Sequence, residues 1–225
     1  MIYITGDTHR DFSRLNNLQL NKNDLIIILG DAGINFCLNN RDEALKEQLN
    51  SLNVKFFCIR GNHEERPENI KSYIEMNIFA GTVYLEENYP NLLFAKDGET
   101  YNIAGQSVLT IGGAYSIDKY YRLLHGYPWF SDEQLSRKEM RAIFNKVKGK
   151  HFDLVLTHTC PYKYEPREVF LPGLNQSLVD KSMEHFLDKV ESNISYDKWY
   201  CGHYHTEKEI DKLEFMYENV KILKR

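Results

Sequence analysis

The chain has 225 residues, 42% of them apolar, and a formal net charge of −4. That size fits one domain, residues 1–225, and fifteen Tyr and twelve Phe are ample for a core. The acidic balance weighs against general nucleic-acid binding, no apolar run approaches membrane-span length, and the apolar start is too short for a signal peptide.

Residues 2–4, Ile-Tyr-Ile, are a short β-type run that stops at Gly6-Asp7-Thr8-His9. Asp7 and His9 stand two apart, which on an extended or turning segment can aim both at one point. The same residues also read as a helix N-cap before Arg10. Residues 24–29 contain Leu25-Ile26-Ile27-Ile28-Leu29, a continuous β-branched run that suits a strand buried on both faces. It ends at Gly30-Asp31-Ala32-Gly33.

Residues 39–52 predict an amphipathic helix, with Leu45, Leu49 and Leu52 on one face and Asp42 and Glu43 in the first turn. Residues 54–59 predict a third strand, followed by Arg60-Gly61-Asn62-His63-Glu64. Glycine permits a sharp turn there, Asn offers a carbonyl oxygen and His an imidazole that titrates near neutrality. A turn with a helix cap is the alternative reading. Strand and helix alternate through residue 64, which predicts a mostly parallel sheet with polar motifs at its strand ends, where open α/β sheets gather ligands.

Residues 82–113 change texture. Short apolar runs at 83–85, 92–95, 100–104 and 108–111 are split by turn residues and predict an antiparallel meander. Residues 114–130 are rich in aromatics, with Asp118, Lys119 and Arg122 between them. They read either as a loop tucked against the body or as a substrate rim.

Ser131 with Gln134 fits a capping box, so a helix is expected from Ser131, with Met140, Ile143, Phe144 and Val147 as its apolar stripe. Arg137, Lys138, Arg141, Lys146, Lys148 and Lys150 form its solvated face. Residues 152–156 predict a strand ending at Thr157-His158. A helix is expected over 177–192, with Val179, Met183, Phe186, Leu187 and Val190 on one face. Residues 196–201 lead to Gly202-His203-Tyr204-His205, and 213–217 with 220–223 read as a closing hairpin around Glu218-Asn219. Cys37, Cys58, Cys160 and Cys201 form no Cys-x-x-Cys pair, so reduced thiols in a cytoplasmic protein are expected.

Asp7, His9, Asp31, Asn62, His63, His158, His203 and His205 all follow predicted strands. Oxygen and imidazole donors of this kind suit first-row divalent metals, and a carboxylate such as Asp31 can span two ions. The ordered series Gly6-Asp7-Thr8-His9, Gly30-Asp31, Gly61-Asn62-His63-Glu64, Thr157-His158 and Gly202-His203-Tyr204-His205 resembles the calcineurin-like metallophosphoesterase family, and it runs to position 205. The resemblance implies an α/β (α+β) fold, a four-layer β-sandwich of two mixed sheets flanked by helices, with the motifs at one rim. It implies two divalent metal ions, Mn first among Mn, Fe, Zn, Co and Ni. Asp7, His9 and His205 would hold one ion; Asn62, His158 and His203 the other; Asp31 would bridge. It also implies a phosphoesterase acting on a phosphate mono- or diester. A metal-bound hydroxide would attack phosphorus, and His63, unbound and kept protonated by a nearby carboxylate, would act as general acid.

The chain departs from the protein phosphatases of that superfamily, in which Val-Asp-Arg-Gly follows the second Gly-Asp. Here Ala32-Gly33-Ile34-Asn35 stands there, without the Asp that supports the histidine or the Arg that clamps phosphate. Arg10 or Arg122 is the candidate replacement for substrate binding, with an ordinary surface arginine as the alternative for each. A Ser/Thr-type protein phosphatase is thus an alternative, as is an inactive scaffold; retention of all eight positions favours the enzyme. The partner is a phosphate-ester substrate. A nucleic-acid substrate is allowed by the chemistry but not indicated by the charge. Oligomeric state is not legible.

Overall fold

The computed structural model describes residues 1–223; the predicted domain 1–225 includes 224–225, which lie outside the described residues. The run Leu25–Leu29 explains the layering. Ile26 and Ile28 pack with Leu45 and Leu49 on one side, while Leu25, Ile27 and Leu29 pack with Val108, Leu154 and Leu156 on the other. Side chains alternate across a strand, so a strand covered on both faces is apolar at every position.

In chain order the strands and helices are β1 (Ile2–Thr5), β2 (Leu25–Leu29), α1 (Asn40–Ser51), β3 (Lys55–Ile59), β4 (Tyr73–Ile78), β5 (Gly81–Glu86), β6 (Leu92–Ala95), β7 (Thr100–Ile103), β8 (Gln106–Ile111), α2 (Lys119–His125), α3 (Arg137–Val147), β9 (His151–Thr157), α4 (Ser182–Glu191), β10 (Ser195–Cys201), β11 (Lys208–Ile210), β12 (Leu213–Phe215) and β13 (Lys221–Ile222). One sheet runs β13-β1-β2-β3-β6-β5-β4 and the other β11-β12-β10-β9-β8-β7. β1, β2, β3 and β6 are parallel in the first; β8, β9, β10 and β12 are parallel in the second; the remaining strands are antiparallel. Both sheets are therefore mixed. α1 covers the outer face of the first, and α3 and α4 cover the outer face of the second through Ile143, Val147, Met183 and Leu187. The four layers expected from the sequence are present.

Several local expectations change. The meander over 82–113 is two hairpins in different sheets, because β6 pairs parallel with β3 and β8 pairs parallel with β9. β4 lies outside the strands expected from the sequence: Ile74, Met76 and Ile78 alternate with Glu75 and Asn77, but the run is a single edge strand whose apolar side chains Ile74 and Met76 are exposed, outside any core. α3 begins at Arg137 rather than Ser131, since the capping box forms between Ser136 and Glu139. α4 begins at Ser182 rather than 177, so Val179 lies in the preceding loop. Leu52 is exposed rather than on the buried face of α1. The closing hairpin is β11–β12, turning at Asp211; β13 pairs instead with β1 in the other sheet. Among the described residues no helix is long and apolar enough to cross a membrane.

Candidate metal centre

The motif residues sit just past the C-terminal ends of parallel strands. Asp7 and His9 follow β1, Asp31 follows β2, Asn62 and His63 follow β3, His158 follows β9, and His203 and His205 follow β10. Adjacent parallel strands end on the same side, so the two sheets deliver five loops to one rim. The backbone turns hard there. Asp7, His9, Asp31, His203 and His205 all have positive φ, between 37° and 68°. Asp and His tolerate that region better than most side chains, but each such residue costs about 1–3 kcal/mol that surrounding contacts must offset. Two glycines make the approach possible. A Cβ on Gly61 would lie 2.0 Å from Asp31 Oδ1, and one on Gly202 would lie 2.5 Å from Asp7 Oδ2.

Donor atoms of Asp7, His9 and His205 lie within 4.8 Å of one another, as do those of Asp7, Asp31 and His158, and those of His9, Asp31 and His63. Asp31 belongs to two of these groups. Nε2 atoms of His9 and His205 face each other at 3.0 Å. His158 Nδ1 meets the Leu29 carbonyl at 2.8 Å, and its Nε2 lies 2.8 Å from Asn62 Oδ1 and 3.6 Å from Asp31 Oδ1. The His203 ring stands 5.0 Å from the His158 ring, and the His203 backbone N–H donates to Asp7. Asp31 Oδ1 accepts the N–H groups of Asn62 and His63, both at 2.8 Å. All seven residues expected as ligands are thus in one basin, and His63 stands at its edge.

The basin holds buried charge. Burial lifts the Asp7 carboxyl to about 8, with Asp31 adding to the effect and His158 opposing it. Burial acts the same way on Asp31, but His158, His63 and His9 outweigh it and hold that carboxyl well below its usual range. His158, buried but facing Asp31, is raised to about 9. Burial lowers the other imidazoles: His9 falls to about 4, His203 well below its ordinary value, and His205 also falls. Those three rings offer free lone pairs at neutral pH. Imidazoles, an amide oxygen and two buried carboxyl groups form a donor set suited to first-row divalent cations, whose charge would replace the protons that Asp7 and His158 hold at neutral pH without one.

Residues outside the motifs fix this geometry. Asn62 Nδ2 donates to Ser116 Oγ at 2.8 Å, which turns its Oδ1 into the basin. Ser116 in turn is held by Glu133, which also takes the Trp129 indole N–H at 3.0 Å. Arg14 bonds the Gly6 carbonyl at 2.7 Å and ties down the first loop. Ser116, Glu133 and Arg14 carry no sequence signal of their own; only the long-range fold reveals them.

The two arginines expected to bind substrate are otherwise engaged. Arg10 bonds the Gly33 and Arg41 carbonyls and the Asp42 carboxylate, away from the basin. Buried Arg122 does reach His63, but all three of its guanidinium nitrogens are occupied: Nε on Asp118, one terminal nitrogen on the Pro128 carbonyl and the other on His63 Nδ1. Guanidinium nitrogens only donate, so His63 Nδ1 accepts and its Nε2 carries the proton. That Nε2 lies 3.9 Å from Asp118 Oδ1. Burial lowers the His63 pKa, Arg122 adds to the fall, and Asp31 and Asp118 do not reverse it. The ring is therefore neutral here, not held protonated by a carboxylate. Residues 114–130 include α2 (Lys119–His125) at the rim, where Tyr120, Tyr121 and Tyr127 are exposed, while Ala114, Ser116 and Phe130 tuck the segment's ends against the body. Cys58, Cys160 and Cys201 are buried free thiols whose pKa values burial raises, so their thiolates are suppressed.

Residues 1–207 match the family described as calcineurin-like phosphoesterase. No curated protein matches the chain. The chain belongs to the calcineurin-like phosphoesterase family, whose members are metal-dependent phosphoesterases with a binuclear divalent-metal site.

Proposed function

We propose that this calcineurin-like phosphoesterase hydrolyses a phosphate mono- or diester at a two-metal centre built from the five strand-end loops. Asp7, His9 and His205 would hold one ion, Asn62, His158 and His203 the other, and Asp31 would lie between them. One observation carries the reading. His158 donates from Nδ1 to the Leu29 carbonyl, and its Nε2 converges with Asn62 Oδ1 at 2.8 Å and Asp31 Oδ1 at 3.6 Å. Without a metal that nitrogen carries a proton, since the ring, although buried, faces Asp31 and is raised to about 9. A divalent cation held by the same two atoms would displace that proton and offset the buried Asp31 carboxylate.

When bound, a pair of divalent ions neutralises phosphate charge and acidifies water. The chain's own residues do the rest. His63 directs its Nε2 proton toward the ester oxygen as a hydrogen-bond donor, with Arg122 holding Nδ1 and Asp118 beside Nε2. In this neutral tautomer it stabilises developing charge on the departing oxygen rather than delivering a proton as an imidazolium. Arg122 positions His63 and does not clamp phosphate. Ser116 and Glu133 keep Asn62 aimed at the basin.

The test is release of nitrophenolate from p-nitrophenyl phosphate and from bis(p-nitrophenyl) phosphate, with Mn²⁺ and with a chelator. Metal-dependent release from either ester, abolished by the chelator, is expected. No release from both with Mn²⁺ bound would overturn the proposal, and the ratio of the two rates ranks monoesters against diesters.

A further inference from the structure

A cavity of about 410 Å³ opens directly beside the metal centre. One end is formed by Asp31, Asn62, His63, His203 and His205. The remaining wall is mostly apolar: Ile117, Val169, Phe170, Leu171, Leu174 and Val179. Those six side chains belong to none of the three buried cores. Ile117, Val169 and Leu171 are 40%, 39% and 60% exposed. Apolar residues that stabilise no core and face an open cavity at a candidate site point to a ligand that covers them.

Asp118, Gln176, Lys181 and Glu184 also stand in the wall, and of these only Glu184 is buried. Glu184, at the start of α4, is 2% exposed. Its Oε1 accepts from Thr159 Oγ1 at 2.7 Å, while Oε2 is buried with no partner. Lys181, the nearest cation on this loop, is paired with Glu165 at 2.7 Å and lies 4.8 Å over the Phe170 ring. An unpartnered buried carboxylate oxygen is costly unless a ligand donor completes it.

We infer that this cavity is the specificity pocket for the organic group of the phosphoester, and that it selects a compact apolar group of aryl size bearing one N–H or O–H donor for Glu184. The inference rests on the phosphoesterase reading above, because the ester's phosphate must sit at the metal end for its organic group to enter. A small hydrophilic ester would leave the apolar wall wet and Oε2 unpaired. An organic group much larger than an aryl ring would exceed the cavity's volume of about 410 Å³.

Phosphonates separate the pocket from the chemistry, since they bind and are not hydrolysed. Calorimetry on the Mn²⁺-loaded protein would compare methylphosphonate, phenylphosphonate and 3-aminophenylphosphonate. Phenylphosphonate is expected to bind roughly ten- to thirty-fold more tightly than methylphosphonate, with a negative heat-capacity change. The amino group is expected to add a further gain of roughly three- to ten-fold in the wild type, the size of one completed hydrogen bond. Glu184→Leu should erase the amino increment, and Leu171→Asp, at an exposed position that the fold tolerates, should erase most of the phenyl preference. Equal affinity for methyl- and phenylphosphonate would overturn the pocket. An amino increment that is absent in the wild type, or survives Glu184→Leu, would overturn the role of Glu184. Hydrolysis of nitrophenyl esters with no size preference among phosphonates would sink this inference alone. Absence of both hydrolysis and phosphonate binding would sink the phosphoesterase reading with it.

Discussion

Gly61→Ala concentrates the logic of the site in one methyl group. A Cβ at this position would lie 2.0 Å from Asp31 Oδ1 and 2.2 Å from Asp31 N, with no flexible side-chain tip to yield. Reaching ordinary contact at 3.4 Å means moving the carboxylate or its backbone by about 1.4 Å. Asp31 Oδ1 also accepts two N–H bonds from the same loop, so the movement breaks the geometry of Asn62 and His63 together. Overpacking of this kind costs about 1–3 kcal/mol of stability, and a misplacement near 1 Å costs roughly 10²-fold in rate. Gly149→Ala is the control for adding a methyl without a clash: Gly149 has positive φ, unlike Gly61, but nothing stands within 4 Å of its added methyl. Circular dichroism, metal content and Mn²⁺-dependent ester hydrolysis would be measured on both. Gly61→Ala should fold, lose metal affinity and fall about 10²-fold in kcat/KM, while Gly149→Ala should lose only stability. A Gly61→Ala enzyme within threefold of wild type and holding its metal would refute the close-packed basin.

His63→Asn should keep both ions but lose roughly 10²-fold or more on substrates with poor leaving groups and less on nitrophenyl esters; equal losses on both would remove His63 from the departing oxygen. Ser116→Ala leaves Asn62 Nδ2 without its acceptor and should weaken metal binding about ten-fold in a chelator competition; unchanged affinity would deny Ser116 any hold on Asn62. Burial raises the Glu184 carboxyl from 4.5 to about 7. Between those values the unfolded chain gives up its proton first, so wild-type stability declines as pH climbs from 4.5 to 7, by up to about 3 kcal/mol. Glu184→Gln should flatten that decline in metal-free urea unfolding, and an identical slope in the variant would contradict it.

The ligand set was legible because each residue stands where an apolar run stops. Parallel strands turn that one-dimensional coincidence into a three-dimensional one, which is why Asp7, Asp31, Asn62 and His158 could be grouped before any coordinates. The residues that hold the ligands were not legible. Ser116 lies in the aromatic segment and Glu133 in the stretch read as a helix start, and their value lies in Ser116's contact with Asn62 far away in sequence, held by Glu133. Arg122 was singled out for its charge, yet the fold buries it and uses every guanidinium nitrogen, which reverses the expected protonation of His63. Arg10 is a candidate clamp from sequence because a guanidinium fork suits phosphate, but the fold turns its side chain to Asp42 and the Gly33 and Arg41 carbonyls. Local pattern also could not divide β5–β8 between two sheets, since hairpin chemistry is the same whichever sheet receives it.

Metal stoichiometry of the purified chain bears most directly on the five-loop basin. Inductively coupled plasma mass spectrometry after loading with Mn²⁺ and desalting should find two ions per chain, falling below one in Asp31→Ala with the fold intact. A folded wild-type protein that retains no divalent ion, or an Asp31→Ala variant that still retains two, would contradict it.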